Sequence, residues 1–378
     1  MYLCSTSLSG GSESVIKANI LVIGIVGLLI ILFFINAPSS EGQEFCFNSS
    51  NEFYKEYYMS KDGRIIDCTR KCITTSEGQS YMLLRSCLTG DKKTFDLVYE
   101  WSKNNIQRGD GLFSWLWGEH PDGEWKTLDH NTASDADVDI AFSLILAYEK
   151  WGDIVYLENA KRIINSIWMN ETKEVNGYLV LMPGVVQTCC DEIEINPSYF
   201  SPYAFKLFQK YDKTHNWNRL VDSSYYYLTE VSSFAPSNLP PDWFYIKNDK
   251  IVFKEGKSDF SYDAIRVFPR VFLDYKITKD ERALPILEKS KFFITEWKSK
   301  NEIYTNYKPT GQLKDEDKFI GSIALLVPII NMYDEKTAEQ IYNKKLRPYF
   351  KLRGYWDSKK DYYGQNLLWF GCYFYKFF

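Results

Sequence analysis

Histidine is nearly missing from this 378-residue chain, which has only His120, His130 and His215. No HExxH run and no GxSxG run occurs, so zinc-peptidase chemistry and histidine-assisted serine hydrolysis lack the residues they need. A surplus of positive charge is also lacking. The formal net charge of -4 offers no basic face to a phosphate backbone and argues against nucleic acid as a partner. Alternating apolar patterns are scarce, so strands are expected to be minor. Cys68, Cys72 and Cys87 show neither paired CxxC spacing nor histidine partners, which leaves metal binding weakly supported. No cofactor is expected.

What is abundant is aromatic: 17% of the residues are Phe, Trp or Tyr. Most of these suit a packed core, but Tyr and Trp, with apolar faces and polar tips, also suit stacking on sugar rings. One long apolar run, Ile20 to Ile35, follows Lys17. Its length is near the minimum for a bilayer span, and the positive-inside rule puts Lys17 in the cytoplasm. The expected organisation is therefore a short cytoplasmic N-terminus over 1–17, a transmembrane anchor over 18–37, a linker over 38–44 and a catalytic domain over 45–378 outside the cell membrane. A cleaved signal peptide, giving a secreted protein, is the competing reading. Of eight cysteines, Cys4 falls on the cytoplasmic side of such an anchor; Cys46, Cys68, Cys72, Cys87, Cys189, Cys190 and Cys372 are left, an odd number with at least one not paired within the chain.

Beyond the linker, apolar residues recur at helical spacing. Helices are expected at about 77–89, 91–105, 133–151, 154–169, 199–211, 217–231, 260–277, 280–299, 317–333, 335–346 and 361–376. They fall into pairs whose first members begin near 77, 133, 199, 260 and 317, a near-regular step that indicates a repeated helical hairpin. The first member of each pair tends to be apolar all round, as in Ile140–Ala147, and the second carries a charged face, as in Lys279–Lys291. Helices of the first kind belong inside and those of the second outside. Closing about six hairpins gives an all-α (α/α)6 barrel; an open α-solenoid is the alternative.

If the inner helices run parallel, their N-termini gather at one end. Four distinctive stretches would meet there: Ser76–Tyr81, Ala133–Asp137, Asn196–Phe200 and Ser261–Arg266. Any one of their polar residues is explained by capping, but four such stretches interleaved with Tyr, Gly, Gln or Arg suggest a cleft. Carboxylates among aromatics fit glycosidic cleavage, which needs one protonated acid for the leaving oxygen and one carboxylate to activate water or attack directly.

The run from Ala133 through Asp135, Asp137, Ile140, Ser143 and Ala147 to Trp151 resembles the signature of family 8 glycoside hydrolases. Ser76–Tyr81 resembles that family's acid-bearing stretch, Asp110–Trp115 its sugar-stacking loop, Asn196–Pro202 another shared block, and Tyr262–Arg266 the base-bearing segment of its endoglucanase-like branch. The resemblance covers about residues 45–378 and implies the (α/α)6 barrel, an inverting mechanism, Glu77 as general acid and Asp263 as general base. It also implies that Tyr262 helps hold the attacking water, that Arg266 binds near the cleaved bond, that Asp135 holds the distorted sugar, and that Tyr199 and Trp115 contact substrate; for Trp115 a plain core role is the rival reading. Asp137 and Asp139 read as caps or ion-pair partners. Met82 stands where the family commonly has Gly, a bulk expected to reshape the cleft.

The expectation is thus an endo-acting hydrolase of a β-linked polysaccharide, a cellulose-like glucan or a bacterial exopolysaccharide, working beside the membrane and in the company of a polysaccharide synthase. A non-catalytic glycan-binding protein on the same scaffold is the alternative.

Overall fold

A computed structural model describes residues 41–186 and 192–378, with side chains from residue 47 onward. Thirteen helices follow in chain order among the described residues: α1 Glu41–Tyr58, α2 Ser76–Thr89, α3 Lys92–Asn105, α4 Ser134–Trp151, α5 Ile154–Asn170, α6 Pro202–Tyr211, α7 Asn218–Phe234, α8 Val267–Thr278, α9 Leu284–Glu288, α10 Lys291–Lys300, α11 Ile320–Tyr333, α12 Glu335–Ile341 and α13 Tyr362–Phe377. Burial sorts them as their sequences do. In α4 every residue from Ser134 to Ala147 is buried, and in α11 every residue from Gly321 to Ile330, whereas α3, α5 and α7 bury one stripe.

The inner ring runs α2, α4, α6, α8, α11, α13, each packed on the next. It closes where Tyr81 of α2 meets Phe370 of α13 edge-on and Arg85 donates to Asn366. Between α11 and α13 the backbones nearly touch, since a Cβ at Gly371 would fall on the main chain of Ala324. Each inner helix has an outer partner, and that of α13 comes from the other end of the chain. This is α1, joined to α13 by Asn366 Nδ2 donating to the Tyr54 hydroxyl at 2.8 Å and by Phe47 packing on Trp369. The fully buried Arg85 guanidinium fastens the junction, 4.3 Å from the Tyr54 ring centroid and donating to Asn51 and the Ser50 carbonyl.

The linker expected over 38–44 therefore gives way to helix from Glu41. Strands are short, as expected. They form three antiparallel sheets among the described residues: β1 Thr74–Thr75, β2 Ser114–Glu119 and β3 Trp125–Thr132; β4 Thr172–Val175 and β5 Tyr178–Leu181; β6 Glu192–Ile195, β7 Phe244–Lys247 and β8 Lys250–Val252. They lie in the connections between helices.

The expectation of a barrel carrying a transmembrane helix requires correction. Among the described residues no helix is long and apolar enough to cross a membrane. The apolar α11 has 14 residues, about 21 Å of helix against a hydrocarbon core of about 30 Å, and spends its apolar surface inside the ring. The anchor expected over 18–37, and the signal-peptide alternative with it, lie outside the described residues. The single-pass placement at the cell membrane, the membrane as a partner and the synthase association that rested on it are withdrawn. Cys68 and Cys72 are bonded to each other, and Cys87 is a free thiol buried in α2; Cys46, Cys189 and Cys190 lie outside the described side chains.

Candidate active site

Every inner helix begins at the same mouth, and the polar stretches meet there because short turns feed each helix into the ring. Thr75 caps α2, its hydroxyl accepting the Gly78 N–H at 3.1 Å, which sets Glu77 in the first turn. A Cβ at Gly78 would fall on the Tyr362 hydroxyl, so glycine after the acid lets α13 press close to it. Asp135 occupies the first turn of α4 and is fully engaged, Oδ1 accepting the Ala136 N–H at 2.9 Å. Asp263 precedes the 3-10 turn Ala264–Arg266 that leads into α8.

Arg266, only 5% exposed, gathers these carboxylates. Its Nη1 donates to Glu77 Oε2 at 2.8 Å and Asp135 Oδ2 at 2.9 Å, and its Nη2 to Asp263 Oδ1 at 2.6 Å. The Tyr199 ring centroid lies 5.6 Å from the guanidinium. A cleft of about 400 Å3 opens above, lined by Arg70, Glu77, Tyr262, Asp263, Arg266 and Tyr363 among others. Three carboxylates share one cation, so the site remains short of positive charge. Burial pushes Glu77 up to about 7, against the lowering pull of Arg266 and with the help of Asp135 and Asp263. Burial likewise raises Asp135, opposed by Arg266 and Arg270.

Glu77, Asp135, Tyr199, Asp263 and Arg266 are thus brought together. Tyr262 lines the cleft, but its hydroxyl donates to Asp317 at 2.8 Å and its ring leans on Phe319. Trp115 lies half-buried in β2, outside the packed core, with its indole bonded to Asp129; it is not in the wall around Glu77 and Asp263. Trp117, two residues on, is the packed one, with Arg64 4.2 Å from its ring centroid and Trp101 edge-on at 5.3 Å. Met82 is fully buried in the core and absent from the cleft lining, so the expectation that its bulk reshapes the cleft is corrected: the side chain is spent on core packing.

Asp139 is an ion-pair partner, of Arg270. Asp137 accepts the Phe113 N–H at 2.9 Å, and burial together with the Glu171 charge raises its carboxyl well above the usual range. Sequence reasoning missed Tyr363 in the cleft wall, Glu171, and the pair Asp242–Trp243, whose indole donates to Asp263 at 3.2 Å. Only Pro240-Pro241 before an acid and a tryptophan, between two helical runs, marks that last pair in the sequence.

A closed helical toroid with two carboxyl groups meeting in one cleft suits glycosidic cleavage, which needs an acid and a second carboxylate. The chain belongs to the glycosyl hydrolases family 8, which it matches over residues 23–375. It is 33% identical to an endoglucanase of Escherichia coli (strain K12) over 258 residues, 66% of this chain and 67% of that one. It is 30% identical to endoglucanase A of Acetivibrio thermocellus, over 74% of this chain and 58% of that one. Its fold overlies the crystal structure of an endo-1,4-D-glucanase from Vibrio fischeri ES114 with a TM-score of 0.74 at 29% identity, covering 88% of this chain and 94% of the other. It is accordingly an inverting, endo-acting glycan hydrolase. The family match begins at residue 23, ahead of the catalytic-domain start expected at 45.

Proposed function

We propose that the substrate is a β-linked glucan, that Glu77 is the general acid and that Asp263 is the general base. The observation that carries this reading is Arg266 donating to both carboxyl groups from one planar fork. The shared guanidinium sets both groups on one cleft, and an inverting reaction needs roughly 6.5–9.5 Å between their carboxyls to admit a water. Burial keeps Glu77 protonated near neutral pH, as a donor to the leaving oxygen must be. Asp263, at the more open side of the cleft and held by Arg266 and Trp243, takes the proton of the water that attacks the anomeric carbon while the bond to the leaving oxygen breaks and Glu77 protonates that oxygen. Asp135 and Tyr199 contact the sugar at the cleaved bond, Arg266 orients it, Tyr262 offers a ring face in the cleft wall, and Trp115, beyond that wall, stacks on a sugar further along the chain.

The names of the relatives, endoglucanases and a 1,4-glucanase, support a glucan over an acetamido-sugar polymer. The test is to incubate the full chain with carboxymethylcellulose, mixed-linkage β-glucan and chitosan, size the products and follow their anomeric form by NMR. Mid-chain cuts in a glucan with the α-anomer appearing first are expected. A β-anomer first product would sink the acid and base roles, and cleavage of chitosan alone would sink the substrate class.

A further inference from the structure

Asp263 stands at the N-cap of the turn Ala264–Arg266, yet its side chain makes no capping hydrogen bond. An aspartate there would ordinarily satisfy the first N–H groups of its own helix. Those N–H groups, of Ile265 and Arg266, go to the Ser261 and Asp263 carbonyls at 3.1 and 2.9 Å, and the backbone on either side of Asp263 is held by Asp242, on a separate segment. Its Oδ1 accepts the N–H groups of Ser261 at 3.1 Å, Asp263 at 3.1 Å and Ala264 at 2.7 Å, and its Oδ2 accepts the Ser261 hydroxyl. The neighbouring Trp243 donates from Nε1 to Asp263 Oδ2 at 3.2 Å, while Arg266 holds Oδ1. Asp242 and Trp243 are themselves fixed, their N–H groups donating to the Asp259 and Lys257 carbonyls at 2.7 and 3.2 Å. Pro240 and Pro241 restrict the backbone that enters the pair.

We infer that Asp242 and Trp243 are the positioning residues of the base: Asp242 ties down the backbone from Ser261 to Ala264 that carries Asp263, and Trp243 fixes the second oxygen of its carboxylate. This rests on the reading of Asp263 as the base. Neither residue needs to touch a reacting atom; both act through where Asp263 points. A displacement of about 1 Å at a reacting group can cost on the order of a hundredfold in rate, so the clamp matters to turnover more than to substrate binding.

The experiment compares Asp242→Ala, Asp242→Asn and Asp263→Asn, and the double variant Asp242→Ala/Asp263→Asn, in the full chain on carboxymethylcellulose. Asp242→Ala should lose about 10- to 100-fold in kcat with KM within about twofold. Asp242→Asn, whose amide oxygen still accepts the N–H groups, should recover most of that loss. On the Asp263→Asn background Asp242→Ala should cost nothing further. A wild-type rate for Asp263→Asn would overturn the base assignment and the clamp with it. A wild-type rate for Asp242→Ala beside an inactive Asp263→Asn, or an equal further loss in the double variant, would overturn the clamp alone. Should Asp242→Ala fold incompletely, Trp243→Phe carries the test: losing a donor to the carboxylate should move the acidic limb of the kcat profile upward, and an unmoved limb overturns the proposal.

Discussion

Arg270 grips Asp139 with both ends of its guanidinium, Nη1 to Oδ1 at 2.9 Å and Nη2 to Oδ2 at 2.8 Å. The pair lies one helical turn below Arg266 and Asp135, so two rungs of the same composition join α4 to the segment that starts α8. The lower rung is closed, with Ser201 and Tyr203 also bonded to Arg270. The upper rung is open to the cleft and shared with Glu77 and Asp263. One is built for rigidity and the other for chemistry.

Asp139→Asn leaves the Arg270 cation buried with half its partner gone. Breaking such a pair costs about 3–5 kcal/mol, whereas replacing both members by apolar residues is often nearly neutral. Chemical denaturation should therefore find Asp139→Asn less stable by about that amount, and Asp139→Leu/Arg270→Met closer to wild type. Equal stability of Asp139→Asn and wild type would show that the lower rung does not hold the ring.

Glu77→Gln and Asp263→Asn should each lose at least about a hundredfold in kcat on polysaccharide. An aryl glycoside with an activated leaving group needs little protonation, so it should partly restore Glu77→Gln and leave Asp263→Asn inactive. The pH dependence follows from the raised Glu77. It is protonated and competent below about 7 and loses its proton as pH climbs through that value, so kcat/KM should fall on the alkaline side there. A profile flat to pH 9 would remove Glu77 from the acid role.

Glu171 and Asp137 test linkage away from the chemistry. Both are fully buried, and among the described residues Asp137 Oδ2 and Glu171 Oε2 lack a hydrogen-bond partner, so a proton held between the two is the expected arrangement. Burial raises Glu171 to about 7 despite its bonds to Thr132 and Asp137, and burial with the Glu171 charge raises Asp137 well above the usual range. The folded state thus binds protons that an unfolded carboxyl, with a pKa of about 4.3, releases. Stability from this pair is present below that unfolded value and declines as pH rises toward about 7. Tm measured from pH 4.5 to 8 should fall less steeply in Glu171→Gln than in wild type; parallel slopes would refute the shared proton.

Trp115 and Trp117 should separate binding from stability. Trp115→Ala is expected to raise KM on glucan and change stability by no more than about 0.5 kcal/mol, as for a side chain outside the core. Trp117→Ala forfeits its edge-on contact with Trp101 and its cover over Arg64, and should cost about 1–2 kcal/mol. Urea melts and a KM measurement on both variants decide it. The reverse pattern would put the sugar-stacking role on Trp117.

The sequence by itself determined the helical hairpins, because helices such as Ile320–Tyr333 and Lys291–Lys300 announce inner and outer positions through their own apolar periodicity. It also carried Glu77, Asp135, Asp263 and Arg266, since each sits at a recognisable helix start. Only the tertiary structure decided the rest. That α1 completes the ring depends on Tyr54 and Arg85 meeting Asn366 across the whole length of the chain, a contact with no local signature. That Asp242 holds the backbone of Asp263 and Ala264 depends on a segment about twenty residues away folding under it. Local pattern reports which face of a helix is apolar; which side chain holds the backbone that enters a helix is settled by what packs against it.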